Sequence, residues 1–353
     1  MSGELASGGV TAWIRARPVI VAALACVGLV VMVVLGVGLG SVRIGPLEAL
    51  GVILGRAFGI DIGVTWTPAT EAIIWDLRLP RVLTSIAIGC GLAVAGATFQ
   101  GLLRNPLADP YVLGTASGAA LGAAVAVLLP IQLVVIEFGL LHGFAFLGAL
   151  VSAWLVFRLG GTGGTGGLTR LLLTGYAVGS VLAALLTMAM YVSGVELRQI
   201  FSFLLGGLGG ASWVRLLVAA PLILGASALI ITRGRVLDAL LLGDMAARHL
   251  GIDVGRERAI MLGLASMATA AAVAISGLIG FVGLVVPHVV RLLVGPAAHR
   301  VLPISAVVGA ALLCAADLGA RLAGDVPVGV ITALLGAPFF LFLLQRSRSG
   351  YEL

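Results

Sequence analysis

The chain has 353 residues, of which 60% are hydrophobic and only 10% charged, 21 basic and 15 acidic. A soluble globular chain carries about 25% charged residues, so this composition excludes a water-soluble domain and points to a membrane protein. Every basic residue other than histidine is an arginine; without lysine the chain can hold neither a P-loop nor a lysine-dependent active site, and its scattered arginines form no basic face for nucleic acid.

Uncharged runs fill residues 18–42, 82–103, 111–136, 171–195, 259–290 and 326–345. A bilayer core about 30 Å thick takes about 20 apolar residues to cross as a helix. The runs predict an all-α polytopic fold, one transmembrane domain over 1–353. Its ten helices are placed at about 18–40, 82–103, 112–130, 143–158, 170–193, 213–232, 258–276, 278–292, 301–321 and 327–345. Arg15 and Arg17 precede a first run of 25 uncharged residues, longer than the apolar core of a signal peptide, which predicts an uncleaved first helix. Within 259–290, the glycines of Ser276-Gly277-Leu278-Ile279-Gly280-Phe281-Val282-Gly283 predict a break into two helices, since irregular backbone survives in a membrane only where protein shields it.

An even number of spans puts both termini on one side. On that side fall 14 arginines, including five in the loop at 233–258, against 7 on the other. The positive-inside rule then places both termini in the cytoplasm. Small-xxx-small spacings (Gly36/Gly40, Gly118/Gly122, Gly139/Gly143, Gly175/Gly179) suit close helix packing. Arg78-Leu-Pro-Arg81 and Arg256-Glu-Arg258 each open a helix, from opposite sides, as an inverted repeat would. Cys26, Cys90 and Cys314 lie in separate apolar runs and the four histidines are dispersed, so no metal or disulfide pattern is present. The literal GxGxxG from Gly161 to Gly166 follows a membrane helix rather than a strand, and reads as a flexible loop.

Two segments carry most of the polar chemistry. In the 233–258 loop, residues 237–250 alternate apolar and polar positions at helical spacing between Gly234 and Gly251, an amphipathic helix of the kind that lies on lipid headgroups. Asp238 and Asp244 favour a protein surface instead. On the other side, Arg78 and Arg81 stand at the mouth of the second helix and Arg321 near the end of the ninth, four residues after Asp317, where a helical ion pair is the simplest role.

Over about 78–345 stand, in order, Arg78-Leu-Pro-Arg81, Gln100-Gly-Leu-Leu-Arg-Asn105-Pro-Leu-Ala-Asp109-Pro110, Glu196-Leu-Arg198-Gln199 with Gly206-Gly-Leu-Gly-Gly210, Gly243-Asp244 to Leu250-Gly251, Gly277 to His288, and Pro327 to Phe339. In these segments and their order the chain resembles the FecCD permeases, membrane subunits of type II ABC importers for iron siderophores, haem and cobalamin. The resemblance implies a vitamin B12 permease-like subunit that pairs with a second permease subunit, identical or paralogous, around a central pathway. Two ABC ATPase subunits would bind ATP and magnesium beneath, and an extracytoplasmic binding protein would dock above; this chain itself would bind no cofactor. On that pattern Asp238, Gly243, Asp244, Ala247, Arg248, Leu250 and Gly251 form the coupling helix against the ATPase. Arg78, Arg81 and Arg321 receive acidic residues of the binding protein. Asn105, Leu107, Leu168 and Thr169 lie at the cytoplasmic gate, although the Gly/Thr run at 160–167 expands the loop beside the last two. The cargo implied is an iron siderophore or haem, else cobalamin, and the location a bacterial cytoplasmic membrane. An ion-driven transporter is the main alternative and would place ionisable groups at mid-membrane; an intramembrane enzyme would need a nucleophile, base or metal cluster there, and no GxSxG, HExxH or aspartate pair supplies one.

Overall fold

The computed structural model describes residues 18–40, 42–129, 139–161 and 167–348. Among them are fourteen α-helices and no strand. We number them α1 (Pro18–Gly38), α2 (Pro46–Phe58), α3 (Pro68–Leu102), α4 (Thr115–Leu128), α5 (Gly139–Gly160), α6 (Gly167–Val192), α7 (Leu197–Leu205), α8 (Trp213–Thr232), α9 (Gly234–Leu241), α10 (Asp244–His249), α11 (Val254–Ser276), α12 (Val282–Val294), α13 (Ala298–Leu322) and α14 (Val328–Arg348).

Seven of these are long and apolar enough to cross a membrane (α1, α3, α5, α6, α8, α11 and α13), and α4, α12 and α14 contribute three shorter apolar helices. These ten correspond one for one to the ten predicted spans, with shifted ends, and the 259–290 run is two helices, α11 and α12. The remaining four, α2, α7, α9 and α10, sit between spans. The Gly161–Gly166 loop, Arg15 and Arg17 lie outside the described residues, apart from Gly161 itself.

Helix α3 forms the centre, with α11 and α13 next to it, while α1 and α6 are peripheral. Small residues put it there. A Cβ on Gly89 would fall 2.3 Å from the Gly309 carbonyl oxygen of α13, and one on Gly96 would fall 1.8 Å from that of Gly283 in α12. Bare backbones therefore meet along both contacts, which side chains larger than hydrogen would hold apart. Gly118 and Gly122 serve the same purpose against Gly148 and Phe144 of α5, whereas Gly143 faces open space.

One feature departs clearly from the predicted spans. The second span begins at Pro68, not 82, so Arg78-Leu-Pro-Arg81 lies inside a continuous helix rather than at its mouth. Residues Ile73–Arg78 form a π-turn, in which the Leu79 N–H reaches back to the Ile74 oxygen. Pro80 has no N–H to offer Asp76, and a wide turn is one way a helix accommodates that loss. The Trp75 carbonyl so released accepts the Trp213 indole N–H at 2.8 Å, tying α3 to the start of α8. A separate feature is the meeting of the 3-10 turn Pro110–Leu113 with the unwound segment between α11 and α12. The Tyr111 hydroxyl, after α3, donates to the Ile279 oxygen at 2.9 Å and accepts from the Ile279 N–H at 3.2 Å, between α11 and α12. One side-chain hydroxyl thereby satisfies both backbone polar groups of Ile279, as a non-helical segment inside a membrane bundle requires.

Candidate functional site

Charged side chains gather at two opposite ends of the bundle. At one end the predicted single helix over 238–251 is instead an elbow of two helices, α9 and α10. The corner is Gly243, whose φ of 121° lies in the region that favours glycine. The bend divides the seven residues expected to form the coupling helix. Asp238 turns inward: its carboxylate accepts the N–H groups of Ala298 (2.5 Å) and His299 (3.2 Å) and pairs with His299 Nδ1 (2.6 Å). It thus satisfies orphan donors at the start of α13, where a carboxylate also suits the helix dipole. Ala247 is buried. Asp244 is half-exposed and its Oδ1 lies 3.0 Å from Arg258 Nη2 and 3.4 Å from Arg104 Nη2. What the elbow does expose is Leu242, Met245 and Leu250, each about two-thirds or more accessible, together with Arg248 and Gly251. Asp238→Ala is accordingly expected to lower the melting temperature, by the roughly 1–2 kcal/mol typical of a lost N-terminal cap, while leaving this exposed surface in place; a thermal unfolding curve of the purified variant checks it.

Next to the elbow, α3 ends in a tight turn. Asn105 Oδ1 accepts the Leu107 N–H at 2.9 Å, and Leu107 is exposed. Just before it, Arg104 holds a φ of +48°, which for a non-glycine residue costs about 1–2 kcal/mol. Thr169 is exposed at the start of α6, and the side chain of Leu168 lies outside the described residues. Gln100, one turn earlier on α3, is buried: its Nε2 donates to the Gly283 and Leu284 oxygens at 3.2 and 3.1 Å, and its Oε1 accepts from Arg291 Nη1 at 2.6 Å. The Gln100 to Arg291 link was not legible in the sequence, where the two residues stand 191 positions apart.

At the far end, the three arginines differ from one another. Arg78 is buried, and its guanidinium donates to the carbonyls of Val37 (2.8 Å), Gly38 (3.0 Å) and Val42. It fits there because a side chain on Gly40 would occupy its place, 2.7 Å from Nη2. Rather than presenting a charge outward, Arg78 satisfies the carbonyls left over where α1 ends. Arg321 is also largely buried, with Nε 3.2 Å from Asp317 Oδ2, the helical pairing its spacing suggests, and Nη1 donating to the Leu39 oxygen at 3.3 Å. Arg81 lies between Asp317 (2.8 Å) and Asp325 (3.1 Å). Its second partner, Asp325, is 71% exposed, so Arg81 is the member of the trio that opens toward solvent. Among the described residues no group of three or more histidine, cysteine or acidic side chains could hold a metal.

An all-helical bundle of apolar spans with bare backbone contacts at its centre defines a polytopic membrane protein. The model of the FecCD transport family matches residues 28–346, and the chain belongs to that family. Among its relatives, it is 42% identical to the cobalamin import system permease protein BtuC of Halobacterium salinarum, over 85% of this chain and 80% of that one. It is 41% identical to the hemin transport system permease protein HmuU of Yersinia pestis, over 85% of this chain and 92% of that one. A solved structure described as a metal-chelate type ABC transporter, in an inward-facing conformation, superposes with a TM-score of 0.80 at 29% identity, covering 92% of this chain and 98% of its counterpart. The PsaBC structure from Streptococcus pneumoniae shares the fold alone, with a TM-score of 0.53 at 17% identity over 75% of this chain and 90% of that one.

Proposed function

We propose that this permease carries a metal chelate, an iron siderophore or haem or else cobalamin, inward across the cytoplasmic membrane as the membrane subunit of an ATP-driven importer. The elbow carries the reading. Leu242, Met245 and Leu250 project from a segment otherwise rich in charge, and an apolar patch with a polar rim marks a protein contact. The contact is with an ATPase subunit that binds ATP and magnesium, since this chain has no lysine for a P-loop. The elbow end and both termini are then cytoplasmic, in line with the arginine census. A second permease subunit pairs with this one, with one ATPase beneath each. At the far end an acidic binding protein docks through Arg81, backed by Arg78 and Arg321; complementary charges there set association rate and orientation and weaken with salt. Asn105, Leu107, Leu168 and Thr169 form the cytoplasmic gate.

The double substitution Leu242→Asp with Met245→Asp should release the ATPase from the detergent-purified complex. The permease should keep its own melting temperature, because both side chains are exposed. If the ATPase still co-purifies in full, the elbow is not its contact.

A further inference from the structure

Helix α3 closes with the Asn105 N–H bonded to the Gln100 oxygen and the Arg104 N–H bonded to the Gly101 oxygen. This is a Schellman turn, whose left-handed position usually belongs to glycine. Here it is held by Arg104, at φ +48°. A strained residue persists where its surroundings hold it, and such residues cluster at switch regions. The side chain shows what holds it. Arg104 Nη2 donates to the Leu240 oxygen at 2.9 Å, in the last turn of α9, and stands 3.4 Å from Asp244 Oδ1, the first residue of α10. One guanidinium therefore touches both arms of the elbow.

The backbone of the same residue leads straight into the turn at 105–107. That turn is stiff, because Asn105 accepts the Leu107 N–H through its side chain and the Ala108 N–H through its carbonyl. The helix end behind it is anchored, because Gln100 is pinned by Arg291 and by the Gly283 and Leu284 carbonyls. Any movement of this rigid turn against the fixed helix end must pass through the torsions of Arg104, at the expense of the Asn105 N–H bond to the Gln100 oxygen. Leu240 and Asp244 shift together whenever the elbow shifts, and the guanidinium that binds both must follow.

We propose that Arg104 is the positioning residue that transmits movement of the elbow to the 105–107 turn. The inference rests on reading the elbow as the ATPase contact and 105–107 as part of the gate.

The test uses the complex of the permease with its ATPase in proteoliposomes, with the exposed Cys26 replaced by serine and a nitroxide on Leu107→Cys. The probe is ATP with vanadate, so no cargo is needed. With Arg104 present, nucleotide trapping should change the nitroxide line shape. Arg104→Gly suits the backbone conformation and removes the whole side chain, the guanidinium with its aliphatic stem. It should retain the ATPase, a melting temperature at least equal to the parent's and hydrolysis within about twofold, while the line-shape change falls by at least half. Arg104→Lys, which keeps a cation with reach toward the Leu240 oxygen, should restore part of the change. A purely structural role would move melting temperature and nitroxide response together.

The proposal is overturned if Arg104→Gly leaves the nucleotide response intact, if the parent shows no response, or if Arg104→Gly sheds the ATPase, which would make Arg104 a brace for the elbow alone. The Leu242→Asp with Met245→Asp variant separates the two readings. Retention of both ATPase and nucleotide response by that variant refutes the elbow contact itself and this inference with it. Loss of the ATPase in that variant, together with an unchanged response in Arg104→Gly, refutes only the role of Arg104.

Discussion

Gly96→Ala should leave little or no folded permease. The new methyl would sit 1.8 Å from the Gly283 carbonyl oxygen and 2.5 Å from its carbon. These are backbone atoms that cannot rotate away, so α12 would have to move off α3. Overpacking a well-packed core costs about 1–3 kcal/mol when side chains can adjust, and backbone against backbone places this substitution at the top of that range or above it. Gly263→Ala in α11 is the matched control: nothing lies within 4 Å of its added Cβ, and a helical glycine replaced by alanine gains about 0.5–1 kcal/mol. Size-exclusion profiles and thermal ramps of the two detergent-solubilised variants decide the matter. Equal yield and equal melting temperature would mean that the α3 to α12 contact is looser than described.

Asp317→Ala should be the most damaging change at the far end. Its carboxylate is 1% exposed and pairs with two arginines, Arg81 at 2.8 Å and Arg321 at 3.2 Å, whose side chains are only 16% and 8% exposed. Removing one partner of a buried ion pair costs about 3–5 kcal/mol, because the charge left behind has lost its compensation. Here two cations are left facing each other. Asp325 can still hold Arg81, but through a largely solvated carboxylate, and exposed pairs contribute about 0–1 kcal/mol. The loss should appear as a large drop in melting temperature at neutral pH, nearly as severe in Asp317→Asn, which keeps the shape and discards the charge. A melting temperature within a degree or two of the parent's in both variants would show that the arginines find other acceptors. The same cluster would shape the proposed docking surface, since Asp317 holds one side of Arg81 against the bundle and leaves the other toward Asp325 and solvent.

The spans were legible in the sequence because crossing a bilayer is a local, additive demand. A run such as 213–232 or 258–276 must be apolar along its own length, and its position can be read without knowing its neighbours. The glycine break near 277 was legible for a related reason, since a helix is interrupted by its own residues. The ordered family motifs also trace to the sequence alone, whereas the split of the 233–258 segment's apolar side chains into buried Leu237 and Leu240 and exposed Leu242, Met245 and Leu250 does not. By contrast, the amphipathic pattern of 237–250 could not reveal that Gly243 bends it, nor that Asp238 serves α13, because the N–H groups it accepts lie 60 and 61 residues downstream. Arg78 looked like a surface charge, and its burial became visible only when carbonyls about 40 residues earlier were brought over it. Arg104, Gln100 and Arg291 likewise acquire their partners from helices far away in sequence. Hydropathy is a property of a segment, whereas a hydrogen bond or an ion pair needs two groups within about 3 Å. Helix packing alone decides which distant groups meet at that distance, and so which charges of this permease hold the bundle together and which remain free to engage a partner.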